Sequence, residues 1–558
     1  MNISSQDNIF TNFLDKPILN MSVSITQEND RRALEYVDVN FTQHDYQPID
    51  VQGQKKLWKR WWFWAFGLLL AIVIIIMTTA IGASNLGSPL HNCSVENTEG
   101  IIYRLFVEDF TKQGNFEGVI DKLDYIESLG TKYIVLMQGF THDSTQPIDF
   151  LELNEDKVGT WEQFEELSKK AGVKGMRILI ELNVISTNFG SKQFPDSVLV
   201  SQEEYVKINN SYLYLGCGVP SSKKKFKCDG AINRPVINAT NTEAMTTFYE
   251  ILKKWLQHGA CGFLLHNMQK IYSESKSEAE MTFQQNIVKK VNELIEEVSN
   301  GILIVDIGKK VTDSMKTVNM LYAAGAKMVF AFNSFSNAFN DLVFAGEFRD
   351  EHFENMDMVL KEQNILTKER KEIPFSFTRG DVIYSVPQRF KKSYPFMFLA
   401  AYTMAATPMI TAWEEVGQTG LIGQKINWEE VKNITKFDFF KDLVKLRTNS
   451  MLTKVDECSI RNEEEGVLSI YRNSSTGLKF TMKINLNKEK ELNVSLNCEG
   501  NYIATQNFHN TTKCDGSTVY LGYLDGIFMN ITEPKSDTSQ RFQDEHTTTS
   551  DVNITSIN

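Results

Sequence analysis

The segment from residue 101 to residue 137, IIYRLFVEDFTKQGNFEGVIDKLDYIESLGTKYIVLM, contains two apolar runs separated by a stretch with helical spacing. The runs Ile101–Val107 and Tyr133–Met137 are rich in β-branched and aromatic residues, so they predict strands. Between them, apolar residues recur at the spacing of one buried helix face. They are Phe116, Val119, Ile120, Leu123, Ile126 and Leu129. The segment therefore predicts a strand–helix–strand unit.

The same alternation continues along the chain as far as Ala412. Six further apolar runs predict strands at Arg177–Val184, Gly262–His266, Ile302–Asp306, Met328–Phe332, Ile373–Phe377 and Pro408–Ala412. Eight strands alternating with helices indicate an α/β fold of the (β/α)₈ TIM-barrel type, which we assign to residues 99–450. A doubly wound open sheet is compatible with the same periodicity.

The pattern changes beyond residue 450. Short apolar runs at Val467–Tyr471, Lys479–Asn485 and Tyr520–Gly522 are separated by Gly, Asn and Ser, which predicts a small antiparallel β-sandwich domain over residues 451–533. Residues 534–558 are rich in Ser, Thr, Asp and Asn and predict a disordered tail.

Before the barrel lies an uncharged run, Trp61–Gly82, directly after the basic stretch KKLWKR at 55–60. Such a run is long enough to cross a bilayer as one transmembrane helix, and it is too long and too late in the chain for a cleaved signal peptide. A buried core helix is the other alternative. The basic flank predicts a cytosolic segment 1–60, an extracellular stalk 83–98, and a single-pass type II protein in contact with membrane lipid at the plasma membrane.

Nine Asn-x-Ser/Thr sequons follow this run, as expected of a surface exposed to the secretory lumen. We expect glycosylation at Asn92, Asn209, Asn238, Asn433, Asn473, Asn493, Asn510, Asn530 and Asn553.

All seven cysteines also follow the run. Two pairs, Cys217 with Cys228 and Cys498 with Cys514, bracket short polar loops and are possible intrachain disulfides, although spacing alone does not fix connectivity. Cys261 lies in an apolar stretch and is expected to be a buried thiol. From position alone, Cys93 in the stalk is compatible with a bond to another chain, a bond within the chain or a free thiol.

Composition excludes several classes of function. The net charge of −12 argues against nucleic acid as a partner. The chain has no Walker, HExxH or Cys/His metal-ligand spacing, so we expect no metal and no cofactor.

Four segments resemble the α-amylase and α-glucosidase superfamily. The opening IIYRLFVEDF with the following helix and strand, and the segment DFLELNEDKVGTWEQFEELSKKA, are similar to its first and third barrel units. HGACGFLLHNM resembles the fourth-strand motif D-G-F-R-x-D, and ATPMITAWEEVG resembles G-T-P-x-x-Y-Y-G-x-E-x-G. The resemblance covers roughly residues 99–530 and implies the superfamily's barrel and C-terminal β domain.

The chain differs from the superfamily's motifs at the positions of their catalytic residues. His266 stands in the place of the nucleophile, Leu264 in that of the arginine and Cys261 in that of the leading aspartate. Retaining glycosidases need two carboxyl groups about 5–5.5 Å apart. Asp306 matches the acid/base position and Glu181 opens the third-strand segment. A single carboxylate at the acid/base position cannot also supply the nucleophile that the mechanism requires. The departures predict a catalytically inactive barrel with no catalytic residues, and thus no enzyme.

An uncharged run near the N-terminus, a stalk cysteine and an inactive amylase-like barrel together resemble the heavy chains of heteromeric amino acid transporters. These form solute carrier family 3, and the similarity is to the type without a long B domain. The resemblance implies an ancillary glycoprotein that promotes trafficking and stability of a multi-pass light chain at the plasma membrane. It also implies that Cys93 forms the interchain disulfide to that light chain.

Two other classes of function remain open. One is a membrane-anchored α-glucosidase-like enzyme with atypical catalytic residues, and the other is an adhesion or receptor ectodomain.

Overall fold

The structure is a computed structural model. It describes residues 93–94, 100–137, 155–183, 187, 191, 193–200, 206–208, 211–213, 216–217, 226–227, 235–266, 268, 278–307, 314–330, 350–369, 374–375, 394–403, 406–412, 414–417, 425, 427–431, 436–448, 455–461, 466–474, 479–495, 498–504, 512–513, 517–523 and 525–531. The chain divides into two compact units, Met1–Gly87 and Ser88–Asn558, and all described residues belong to the second.

The second unit contains both strands and helices, numbered in chain order. The strands are β1 Ile101–Phe106, β2 Thr131–Met137, β3 Arg177–Asn183, β4 Val206–Ile208, β5 Ser211–Leu213, β6 Gly216–Cys217, β7 Phe226–Lys227, β8 Gly262–His266, β9 Ile302–Asp306, β10 Met328–Phe330, β11 Pro374–Phe375, β12 Thr407–Thr411, β13 Val455–Arg461, β14 Val467–Ser474, β15 Lys479–Asn485, β16 Leu492–Ser495, β17 Cys498–Ala504, β18 Thr512–Lys513, β19 Thr518–Leu521 and β20 Gly526–Ile531. The helices are α1 Val107–Phe110, α2 Phe116–Ile120, α3 Leu123–Ser128, α4 Glu155–Val158, α5 Trp161–Val173, α6 Thr242–Gln257, α7 Glu278–Val298, α8 Ser314–Ala323, α9 Asp350–Lys368, α10 Tyr394–Thr403, α11 Trp428–Val431 and α12 Lys436–Thr448.

Eight strands form one parallel sheet in the order β10-β9-β8-β3-β2-β1-β12-β11. Residues of β10 and β11, the two ends of this order, lie within 8 Å of each other, so the sheet curls into a barrel. The (β/α)₈ prediction is confirmed, and the doubly wound open sheet is excluded. Each of the eight strands lies within a predicted run or overlaps it.

Side chains on the barrel strands alternate between two cores, as the pleat requires. Ile102 and Leu264 belong to the cluster that fills the barrel interior. Tyr103 and Leu265, the next residues along, pack in the layer between barrel and helices. This alternation decides which polar side chains face the inside of the barrel.

The start of α5 shows how local sequence fixes a helix terminus. Gly159 has a φ of 102°, a left-handed conformation that favours glycine. Thr160 then forms a capping box with Gln163, because each backbone N–H donates to the other residue's side chain.

The C-terminal region contains antiparallel sheets. Six strands are ordered β13-β14-β15-β20-β17-β18, and β16 pairs with β19 in a separate two-stranded sheet. Leu492, Val494 and Leu521 from the small sheet pack against Val467 and Ile527 from the large one. Two packed sheets agree with the sandwich predicted there.

The expected single-pass type II topology and plasma-membrane localisation find no support in the structure and are withdrawn. Within the described part of the chain, no helix combines the length and the apolar character needed to span a membrane. Trp61–Gly82, on which the expectation rested, lies outside the described residues, as do segments 1–60 and 534–558.

The structure pairs Cys93 with Cys261 in a disulfide that spans 168 residues of sequence. Both residues are buried and belong to the cluster inside the barrel. The Cys93 backbone N–H donates to the carbonyl of Ser299, and Arg177 donates to the carbonyl of Ser94. The interchain bond expected at Cys93 and the thiol expected at Cys261 are therefore both corrected, because the supposed stalk residue packs into the amino-terminal end of the barrel.

A buried carboxylate joins the first and last parts of the barrel. Glu415, just beyond β12, accepts hydrogen bonds from the hydroxyls of Tyr103 at 2.5 Å and Tyr125 at 3.0 Å. Burial, followed by the charge of Glu415, raises the pKa of both tyrosines well above the ordinary value. Because the folded state holds these protons more tightly than the unfolded chain, the stabilisation is complete below about pH 10 and is lost above it.

We predict an alkaline loss of stability that depends on Tyr103. In urea unfolding at pH 8 to 11, the free energy of unfolding should fall above about pH 10, and more steeply for the wild type than for Tyr103→Phe. At pH 7 the variant should lose about 2 kcal/mol because Glu415 loses a hydroxyl donor. Equal slopes for the two proteins would contradict this role.

Peptide mapping can test the Cys93–Cys261 disulfide. Non-reducing digestion should yield one species that links the Cys93 and Cys261 peptides. Cys93→Ala should lower the free energy of unfolding by about 3 kcal/mol, because the bond constrains a long loop. Recovery of Cys93 linked to a peptide of another protein would refute the intrachain pairing.

Candidate functional site

Polar residues at strand positions that alternation places toward the inside of the barrel include Arg104 on β1, Glu181 on β3, His266 on β8 and Asp306 on β9. All four lie within the last three residues of their strands. The carboxyl ends of the strands in such barrels carry the active sites. This end of the barrel is therefore the candidate functional site.

Arg104 and Glu181 form a bidentate ion pair across β2. Arg104 Nη2 lies 2.8 Å from Glu181 Oε1, and Nε donates to Oε2 at 3.0 Å. The side chains are only 3% and 12% exposed. Such fork-to-carboxylate geometry is the strongest form of the interaction, and it compensates for the removal of both charges from water.

Strand register places the other groups relative to this pair. Glu181 is level with Leu264 on β8, and Asn183 is level with His266. Leu265 pairs with Val305 on β9, so the backbones of His266 and Asp306, one residue further, are about 5 Å apart. One strand, β8, lies between Glu181 on β3 and Asp306 on β9, so the backbones at these two residues are about 10 Å apart across the sheet.

This arrangement limits the available chemistry. Glu181 is engaged by Arg104, and the strand next to Asp306 carries Leu264 and His266 rather than a carboxylate. Asp306 is only 4% exposed and ends β9 at the face where substrate binds in such barrels. It is therefore the carboxylate best placed to act as a proton donor.

Other predicted sites are only partly covered by the structure. Among the sequons, Asn238 is half-buried, while Asn473 and Asn493 are exposed. Cys217 lies in β6 and Cys498 in β17, but Cys228 and Cys514 are outside the described residues, so neither predicted pairing is tested. Within the described ranges, no group of three or more His, Cys, Asp or Glu side chains could hold a metal ion.

Arg104 is not among the site residues predicted from the sequence. The signal was present, because a charged residue within the apolar run IIYRLF is almost never fully buried without a partner. What the sequence does not reveal is that the partner is Glu181, 77 residues away.

Comparison with known proteins relates the chain to α-amylases and glucosidases. Residues 92–206 match the α-amylase catalytic domain model. α-Amylase 3 of Dictyoglomus thermophilum is 27% identical over 190 residues, 31% of this chain and 37% of that protein. Oligo-1,6-glucosidase of Bacillus cereus is 22% identical over 404 residues, 62% of this chain and 70% of that protein. The chain thus spans about a third of the length of the first relative.

Solved structures support the fold. Trehalose-6-phosphate hydrolase of Bacillus licheniformis superimposes with a TM-score of 0.60 at 16% identity, covering 79% of this chain and all of that one. The α-amylase of H. orenii gives a TM-score of 0.57 at 18% identity, covering 78% and 100%.

These matches correct the expectation that the chain is not an enzyme. That expectation rested on Cys261, Leu264 and His266, whereas the proteins that the chain is similar to are named as two α-amylases, an oligo-1,6-glucosidase and a hydrolase. None of these four proteins is a transporter heavy chain.

We predict that the Arg104–Glu181 pair behaves as a buried unit. Glu181→Gln should lower the free energy of unfolding by about 3 kcal/mol, because it leaves a buried guanidinium uncompensated. The double change Arg104→Met/Glu181→Leu should cost less than the single change. Breaking the exposed pair Glu166–Lys170 with Lys170→Ala should change stability by at most about 0.5 kcal/mol in the same urea titration. Equal losses for the single and double variants would contradict a buried ion pair.

The described barrel has a glycoside-hydrolase-like fold, and residues 92–206 match the α-amylase catalytic domain family.

Proposed function

We propose that the protein is an α-glucosidase-like enzyme with an atypical set of catalytic residues. The observation that carries the proposal is the buried Asp306 at the carboxyl end of β9, in a barrel similar to those of α-amylases and oligo-1,6-glucosidase. A short α-linked glucoside is the substrate class that these relatives' names suggest.

The chemistry assigned to Asp306 is proton transfer to the glycosidic oxygen. Protonation allows the bond between that oxygen and the anomeric carbon to break. Water then adds to the carbon, and the proton that the water loses returns to the Asp306 carboxylate. Arg104 holds Glu181 in the ion pair, so Glu181 is not assigned a role at the reacting atoms.

Activity measurements test this function directly. The purified full chain should release glucose from maltose or a chromogenic α-glucoside. Asp306→Asn keeps the side-chain shape but removes the proton donor, so kcat/KM should fall at least about 100-fold. The exposed helix variant Glu166→Gln is the matched control and should retain full activity.

Two results would contradict the proposal. One is a wild-type chain with no hydrolysis above the uncatalysed rate. The other is an Asp306→Asn variant as active as the Glu166→Gln control.

A second candidate is favoured by Leu264, which is buried inside the barrel at the position of the motif arginine. In this case the chain is an ancillary subunit that binds a multi-pass amino acid transporter light chain. Because Cys93 is bonded to Cys261, that association would not use Cys93. Crosslinking of the native protein followed by mass spectrometry should recover a multi-pass partner, and recovery of none would exclude this candidate.

A further inference from the structure

The small sheet of β16 and β19 has one buried and one exposed face. Along β16, Leu492 and Val494 are buried, while Asn493 and Ser495 are exposed. On β19, Tyr520 is exposed and Leu521 is buried. The outer face therefore presents Asn493, Ser495, Thr518 and Tyr520 to solvent.

Tyr520 has 53% of its surface exposed. In the antiparallel pairing of the two strands, Tyr520 lies directly opposite Asn493. Cβ atoms of such partners are about 4.5–5.5 Å apart on the same face. The Asn493 amide and the Tyr520 ring are thus immediate neighbours.

Asn493-Val494-Ser495 is a sequon whose acceptor amide and hydroxyl both lie on this outer face. Asn473 provides a contrast, because it is also exposed and also opens a sequon. Its strand neighbours are Glu457 and Lys479, so no aromatic ring lies opposite it.

The Cys93–Cys261 disulfide supports passage through an oxidising compartment. Disulfides persist in such compartments and are rare where thiols are kept reduced. Asparagine-linked glycans are added to secreted proteins, which mature under the same conditions.

We propose that Asn493 carries an N-linked glycan whose first N-acetylglucosamine lies on the ring of Tyr520. Transfer forms a bond from Asn493 Nδ2 to the anomeric carbon, breaks the bond from that carbon to a lipid-linked pyrophosphate donor, and releases one amide proton. The C–H face of the sugar then covers the electron-rich face of the ring, which removes apolar surface from water.

Site mapping is the first test. The full chain, produced in eukaryotic cells, is deglycosylated enzymatically in ¹⁸O-water, which marks each occupied asparagine. Asn493 should be marked, and the mark should disappear in Ser495→Ala. An unmarked Asn493 would overturn the proposal.

A mutant cycle then tests the stacking. Ser495→Ala removes the glycan but keeps Asn493, and it should lower the thermal midpoint by about 1–2 °C in the otherwise wild-type chain. The same change should have no effect in the Tyr520→Ala background and its full effect in Tyr520→Phe, whose ring still stacks.

Asn473→Gln is the control for losing a glycan with no aromatic residue directly opposite it, and its effect should not depend on Tyr520. An equal effect of Ser495→Ala with and without the Tyr520 ring would show that the sugar does not pack on it. None of these outcomes depends on glycosidase activity, so these experiments test the glycan contact independently of the proposed function.

Discussion

The ion pair between Arg104 and Glu181 is the interaction on which the architecture of the candidate site depends. Two charges are held inside the barrel, where either one alone would be costly, so each requires the other. The pair crosses β2 and therefore fixes β1 relative to β3. It also engages a carboxylate that would otherwise be a candidate for the chemistry at this end of the barrel.

The opposite end of the barrel is closed by different means. The Cys93–Cys261 disulfide lies where β8 begins, and it packs into the same interior cluster as Ile102 and Leu264. Gly262, beside it, has a φ of 134°, and a Cβ there would clash with the carbonyl oxygen of Ile302. The amino-terminal end is thus tightly packed, which leaves the carboxyl ends of the strands for function.

Sequence patterns predicted the strands well because buried parallel strands are nearly continuous apolar runs. Gly262–His266 and Ile302–Asp306 have the predicted bounds. The polar contacts could not be predicted, since Arg104 and Glu181 are 77 residues apart and Tyr103 and Glu415 are 312 apart. Which side chains meet depends on strand order and stagger, which periodicity does not encode. The expectation of an inactive barrel is contradicted by the names of the proteins that the chain is similar to, and it gave Cys261, Leu264 and His266 more weight than the barrel as a whole.

The most direct measurement of the central claim is a crystal structure of the Asp306→Asn variant with maltose. We expect a sugar bound at the carboxyl ends of the strands, with its glycosidic oxygen about 2.6–3.2 Å from the side chain at position 306. A sugar bound elsewhere on the chain, or none at that end of the barrel at saturating maltose, would contradict that claim.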